Sequence, residues 1–183
     1  MKKFFPRLSV KDICTLGLLV AITALLSIFC TFRIGNIVKI PIKFISVFVT
    51  AVAFGPVYGG ICGAVGDLLN AVLAPVGPLL PQITALEFLS GFVYGLFFLK
   101  TGYSKGEFAQ RTVLCTLVQF LIDMFLTTAV LALWVGYYPD FGVAFLTRLP
   151  AGIIKAVIQF ILIMACRGVA EGLSHQIKNK RGK

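Results

Sequence analysis

Phe44-Ile45-Ser46-Val47-Phe48-Val49-Thr50-Ala51-Val52-Ala53-Phe54-Gly55-Pro56-Val57-Tyr58-Gly59-Gly60-Ile61-Cys62-Gly63-Ala64-Val65-Gly66 runs without a charge from Lys43 to Asp67. Its reading decides the architecture, because it is either one apolar helix or two broken at Gly55-Pro56. Proline has no N–H to donate, and its ring clashes with the preceding turn, so the break is expected. With it the chain has six apolar spans, at about 11–32, 41–54, 57–74, 82–99, 109–134 and 142–170. An even number puts both termini on one side, with the turn near residue 100. Most of the 17 basic residues then share that side: Lys2, Lys3, Arg7 and Lys11, then Lys100, Lys105 and Arg111, then Arg167, Lys178, Lys180, Arg181 and Lys183. Without the break the basic termini would face opposite sides, against the rule that cytoplasmic loops collect lysine and arginine.

Composition points the same way. The 183 residues are 58% hydrophobic and only 13% charged, whereas a soluble domain carries about a quarter charged residues. Such a chain cannot cover its surface in water, so lipid is its solvent. We expect an all-α integral membrane protein of six transmembrane helices with both termini cytoplasmic. It is expected to form one domain over 1–183 with a basic cytoplasmic tail at 171–183, and to lie in the cell (plasma) membrane as a multi-pass protein. The first apolar run is too long for a signal core and lacks a small-residue cleavage site. The formal charge of +10 would suggest nucleic acid in a soluble chain; here it follows the membrane charge rule, and no nucleic acid is expected.

Five basic residues break that rule. Arg33, Lys39 and Lys43 lie on or near the first outward loop, and Arg148 and Lys155 fall inside the last span. An anionic ligand captured from outside would explain them. Ionisable groups within spans are costly to insert and are functional candidates for that reason. Asp67 and Asn70 sit three apart in the third span, and Thr84 and Glu87 three apart in the fourth. Gln119, Asp123 and Thr127 form a stripe in the fifth, and Arg148, Gly152, Lys155 and Gln159 one in the sixth. Pointed inward, these stripes would line one cavity open to the outside. The plainer alternative is internal ion pairing, of Asp123 with Lys155 or Glu87 with Arg148, that fixes helix packing. The loop Ala74-Pro75-Val76-Gly77-Pro78-Leu79-Leu80-Pro81 has three prolines and no charge and reads as a lid or pocket wall.

Enzymatic readings find little support. The single histidine, His175, lies in the basic tail, and there is no HExxH and no paired-carboxylate spacing. The five cysteines are scattered without CxxC spacing and read as small apolar residues. No metal and no cofactor are expected. GxxxxGK[ST] is also absent, so the chain cannot hold ATP by a P-loop, and transport would need an ion gradient or a separate ATPase. Gly17-Leu18-Leu19-Val20-Ala21 in the first span is a small-xxx-small step that lets helices approach closely, either within the fold or at a partner.

The run Arg33-Ile34-Gly35-Asn36, then Phe54-Gly55-Pro56-Val57-Tyr58-Gly59-Gly60, then Gly63-Ala64-Val65-Gly66-Asp67-Leu68-Leu69-Asn70, resembles the S components of energy-coupling factor (ECF) vitamin transporters. Pro75-Val76-Gly77-Pro78 and Ser90-Gly91-Phe92-Val93-Tyr94-Gly95-Leu96 strengthen the likeness, which is densest over about 16–100 and is greatest to the folate branch. The resemblance implies six helices with cytoplasmic termini and a high-affinity outward pocket closed by the loops after the first and third spans. It implies partners too: a membrane scaffold subunit with two ATPase subunits, the first-helix positions Gly17 and Ala21 docking on the scaffold. The chain departs from the folate pattern at Gln82-Ile83-Thr84, where Gly-Phe-Thr is expected, and at Glu87, usually a small uncharged residue. The substrate-binding candidates are Arg33, Asp67, Asn70, Glu87, Asp123, Arg148, Lys155 and Gln159, with Phe44, Phe88 or Trp134 packing a flat ring. Folate would suit them, its glutamate carboxylates meeting Arg33, Arg148 or Lys155 and its pterin donors a carboxylate. Another vitamin or a purine-like precursor on the same fold, a small membrane enzyme and an assembly factor are the alternatives.

Overall fold

The computed structural model describes residues 9–29, 31–34, 38–73, 80–98, 103–134, 136, 139–169 and 171–172, with the two strands described by backbone alone. Six helices form the body: α1 (Val10–Phe29), α2 (Phe44–Phe54), α3 (Pro56–Leu73), α4 (Pro81–Phe97), α5 (Lys105–Leu121, continuing as π-helical turns to Trp134) and α6 (Phe141–Ala165). Local chemistry sets several of these ends. Asp12 Oδ2 accepts from the Ser9 backbone N–H at 3.0 Å, and Ser104 with Glu107 forms a reciprocal capping box at the start of α5. Asp140 Oδ1 accepts from the Phe141 N–H at 2.8 Å at the start of α6. Pro81 opens α4, where a missing N–H costs nothing.

The uncharged run divides where expected. Gly55 has φ 102° and ψ 174° and its N–H closes on the Ala51 carbonyl at 3.0 Å. A side chain tolerates that backbone poorly, so glycine ends α2 there and Pro56 starts α3. Two short strands, described over 31–34 and 38–41, take up part of the stretch read as a linker. β1 (Thr31–Ile34) pairs antiparallel with β2 (Val38–Pro41), Arg33 opposite Lys39 and Ile34 opposite Val38. The β-branched residues Thr31, Ile34, Val38 and Ile40 around Gly35-Asn36 carried that signal in the sequence.

Burial does not divide polar from apolar residues as it does in a water-soluble bundle. Thr23, Ser27, Ser46, Thr50, Thr112, Gln119, Thr128 and Gln159 are buried, while Leu18, Leu25, Phe29, Val72, Leu117, Leu146, Val157 and Ile161 are exposed. Several interior hydroxyls bond to the preceding turn, as in Thr23 to the Leu19 carbonyl (2.8 Å) and Thr50 to the Ser46 carbonyl (2.8 Å), and Ser46 reaches the Leu19 carbonyl on α1 (2.9 Å). Lipid explains this pattern, since outward leucines lose nothing in hydrocarbon and polar groups must find partners inside. Four helices (α1, α3, α5 with its π extension, and α6) are long and apolar enough to cross a membrane. With 17 residues at about 1.5 Å each, α4 reaches about 26 Å, and the 11-residue α2 reaches less, against a hydrocarbon core of about 30 Å.

Glycines set how closely α3 and α4 approach. A methyl on Gly91 would meet the Gly59 carbonyl, one on Gly95 would meet the Pro56 backbone, and one on Gly63 would fall 2.6 Å from the Glu87 carbonyl. Gly59 thus faces Gly91 directly, while Gly63 lets the Glu87 backbone approach and Gly95 lets Pro56 approach, so small residues on both helices bring the two backbones together. The aromatic part of the core lies toward the other end, where Phe48 packs edge-on against Tyr94 and Phe98, and Phe98 against Phe108.

Candidate functional site

Because successive helices run in opposite directions, the N-terminal halves of α2, α4 and α6 meet the C-terminal halves of α3 and α5 at one end of the bundle. That end holds four of the seven acidic residues of the chain: Asp140, which caps α6, and Asp67, Glu87 and Asp123 within the helices. Lys43, which precedes α2, is only 7% exposed. Its Nζ lies 2.9 Å from Glu87 Oε1 and 3.7 Å from Asp67 Oδ1. Asp67 also accepts from the Thr84 hydroxyl at 2.9 Å, which ties α3 to α4 a second time. On the α5/α6 side, Asp123 sits in a π-helical turn and takes Lys155 Nζ at 3.0 Å and Arg148 Nη2 at 3.5 Å. Arg148 Nη1 is buried and has no hydrogen-bond partner among the described residues.

Between the two groups lies a cavity of about 90 Å³, with Lys43, Phe44, Glu87, Asp123, Lys155 and Gln159 on its walls. Its floor is a set of neutral hydrogen bonds: Gln159 Nε2 donates to the Tyr94 hydroxyl at 2.6 Å, and Gln119 Nε2 to the Ser90 carbonyl at 2.8 Å. Gln119, Asp123 and Thr127 all reach the cavity although the helix passes from α to π geometry between them; π turns often accompany functional sites. The arrangement offers fixed charges of both signs above a neutral floor. Among the described residues no group of histidines, cysteines and carboxylates could hold a metal.

Four candidates, Glu87, Asp123, Lys155 and Gln159, line the cavity. Asp67 and Arg148 stand behind the lining as ion-pair partners, and Asn70 is half-buried on α3 away from the walls. The side chain of Arg33 and residues 74–79 of the proline-rich loop lie outside the described residues, as does His175. Of the two internal pairs considered, Asp123 with Lys155 is made, but Glu87 takes Lys43 and not Arg148. Lys43 stands in the sequence among the basic residues that break the charge rule but not among the substrate-binding candidates, because its position before the second span does not show that it turns inward onto Asp67 and Glu87. Among the aromatic candidates, Phe44 lines the cavity, Phe88 stacks on Phe92, and Trp134 is exposed at the end of the π segment. Gly17 and Ala21 lie on the exposed face of α1, where a methyl on Gly17 would meet nothing within 4 Å.

The fold and this cavity define a class: a small multi-pass membrane protein with a charged, polar cavity at one end of a helical bundle. The sequence pattern of the ECF-type riboflavin transporter S component matches residues 7–166, and the chain belongs to that family of membrane-embedded transporter subunits. It is 30% identical over 148 residues to the folate transporter FolT of Clostridium novyi (strain NT), covering 80% of this chain and 81% of that one. A crystal structure of FolT bound with folic acid superposes with a TM-score of 0.72 at 30% identity, over 85% of this chain and 91% of that one. ThiT from Listeria monocytogenes shares the fold, with a TM-score of 0.65 at 16% identity, over 88% of this chain and 95% of that one.

Proposed function

We propose that this chain is the high-affinity binding subunit of an ECF-type importer, that its ligand is folate or a related pterin, and that all 183 residues serve as one substrate-binding domain. The observation that carries the reading is the cavity walled by Glu87 and Lys43 on one side and by Asp123 and Lys155 on the other. Folate has a face of N–H donors and a tail of carboxylates, and such a site offers partners for both. The likeness to FolT, at 30% identity over most of both chains, supports the same ligand. The cavity opens to the outside on the charge argument, with both termini cytoplasmic.

At about 90 Å³ the cavity is smaller than the roughly 300–1,000 Å³ that pockets for such ligands occupy. Binding therefore moves lining side chains, and the long, flexible Lys43 and Lys155 are the ones best able to swing aside. The chain binds and does not catalyse. Energy comes from a separate scaffold and two ATPases, docked through the small face of α1 at Gly17 and Ala21. Riboflavin, from which the family takes its description, is the second reading. It carries no carboxylate, and so would leave uncompensated the one positive charge by which Arg148 and Lys155 exceed Asp123.

Calorimetry on detergent-purified protein tests the proposal, with folate and riboflavin titrated in parallel. One-to-one binding of folate with no riboflavin signal is expected. Riboflavin binding without folate binding would overturn the assignment.

A further inference from the structure

Formal charges around the cavity are not balanced locally. On the α2/α3/α4 wall one ammonium, Lys43, faces two carboxylates, Asp67 and Glu87. Across the cavity one carboxylate, Asp123, faces two cations, Arg148 and Lys155. Each group is one charge away from neutrality and the two have opposite signs, with Glu87 and Lys155 both reaching the cavity. In a low-dielectric site these residual charges draw complementary groups strongly and repel like ones. The buried Nη1 of Arg148, without a partner among the described residues, adds an unmet donor on the cationic side.

We infer that the pocket fixes the direction of its ligand: the hydrogen-bond-donor end lies on Glu87 beside Lys43, and the carboxylate end lies on Lys155 and Arg148 beside Asp123. The inference rests on the folate reading and adds to it an assignment of the two ends. The reverse orientation would set carboxylates against a wall that already holds one excess negative charge. It would also set N–H donors against two cations that compete for Asp123. The assignment makes Glu87 and Arg148 the residues that distinguish the two halves of the ligand.

Glu87→Gln and Arg148→Gln are suitable probes, because each leaves its group with one cation and one carboxylate and so removes no charge balance. Affinities of both variants are measured for folate, for 6-hydroxymethylpterin, which carries no carboxylate, and for p-aminobenzoylglutamate, which lacks the pterin. Arg148→Gln should weaken folate about tenfold to a hundredfold, the usual loss for a charge-assisted bond, while changing 6-hydroxymethylpterin less than about threefold. Glu87→Gln should weaken folate and 6-hydroxymethylpterin alike by about tenfold or more and leave p-aminobenzoylglutamate unchanged. The fragment that each variant still binds serves as its folding control. The opposite pattern, or equal loss for all three compounds, would overturn the orientation while leaving folate binding intact. If the wild-type chain bound no folate, the functional reading would fail and the orientation with it.

Discussion

Replacing Lys43 by methionine tests whether the buried lysine holds the ligand end of the bundle together. Methionine keeps most of the aliphatic stem, so packing around this nearly buried side chain is retained and the loss is one of charge. What remains is Asp67 and Glu87 facing each other without the ammonium that lies 3.7 Å and 2.9 Å from them. Removing one partner from a buried ion pair costs about 3–5 kcal/mol. Glu87 keeps 31% of its side chain exposed, so screening places the expected cost near the lower end, about 3 kcal/mol. Adding Glu87→Gln removes the repulsion and leaves Asp67 with its Thr84 hydrogen bond. The double variant should therefore recover at least about 1 kcal/mol relative to the single one. Unfolding by dodecyl sulfate in mixed micelles, followed by circular dichroism, measures both. Wild-type stability in Lys43→Met, or a double variant no more stable than the single one, would refute the electrostatic role of Lys43.

At the α3/α4 contact, Gly91→Ala should destabilise by about 1–3 kcal/mol, because its methyl meets the Gly59 backbone, which cannot rotate away. Gly17→Ala, with open space around it, should unfold at or above the wild-type denaturant concentration in the same assay. Gly17→Leu and Ala21→Leu should bind ligand as the wild type does, yet fail to support ATP-dependent uptake in proteoliposomes with the scaffold and ATPases. Normal uptake by both would remove α1 as the docking face. ATP-independent accumulation by the chain alone would falsify the shared-energy mechanism.

Much of the architecture was legible because lipid restricts the chain to few solutions. Backbone groups must be satisfied within each segment, so apolar runs become helices. Gly55-Pro56 marks the one interruption of the long run for reasons internal to those two residues. The charge bias then orients the spans, and Glu87, Asp123, Lys155 and Gln159 stood out as costly residues inside them. The strands at 31–34 and 38–41 stand partly where a linker is expected, because the basic residues Arg33 and Lys39 suggest a polar loop although Thr31, Ile34, Val38 and Ile40 are β-branched. The Gly59/Gly63 and Gly91/Gly95 steps were equally visible, but nothing in one dimension says which two glycine faces meet. The small-residue step that the sequence singles out, Gly17 and Ala21, lies on the surface of the fold.

Sequence by itself determined the solvent, the six helices and the list of residues too expensive to bury without a purpose. Tertiary structure alone decided which of those residues confront one another: that Glu87 takes Lys43 rather than Arg148, that Asp123 collects two cations, and that Asn70 stands apart. The physical reason is that insertion cost belongs to a residue and its place along one helix, whereas Coulomb partners depend on the rotation and separation of several helices. Backbone contact at glycines fixes that separation for α3 and α4, and with it the few ångströms over which an ion pair either forms or does not.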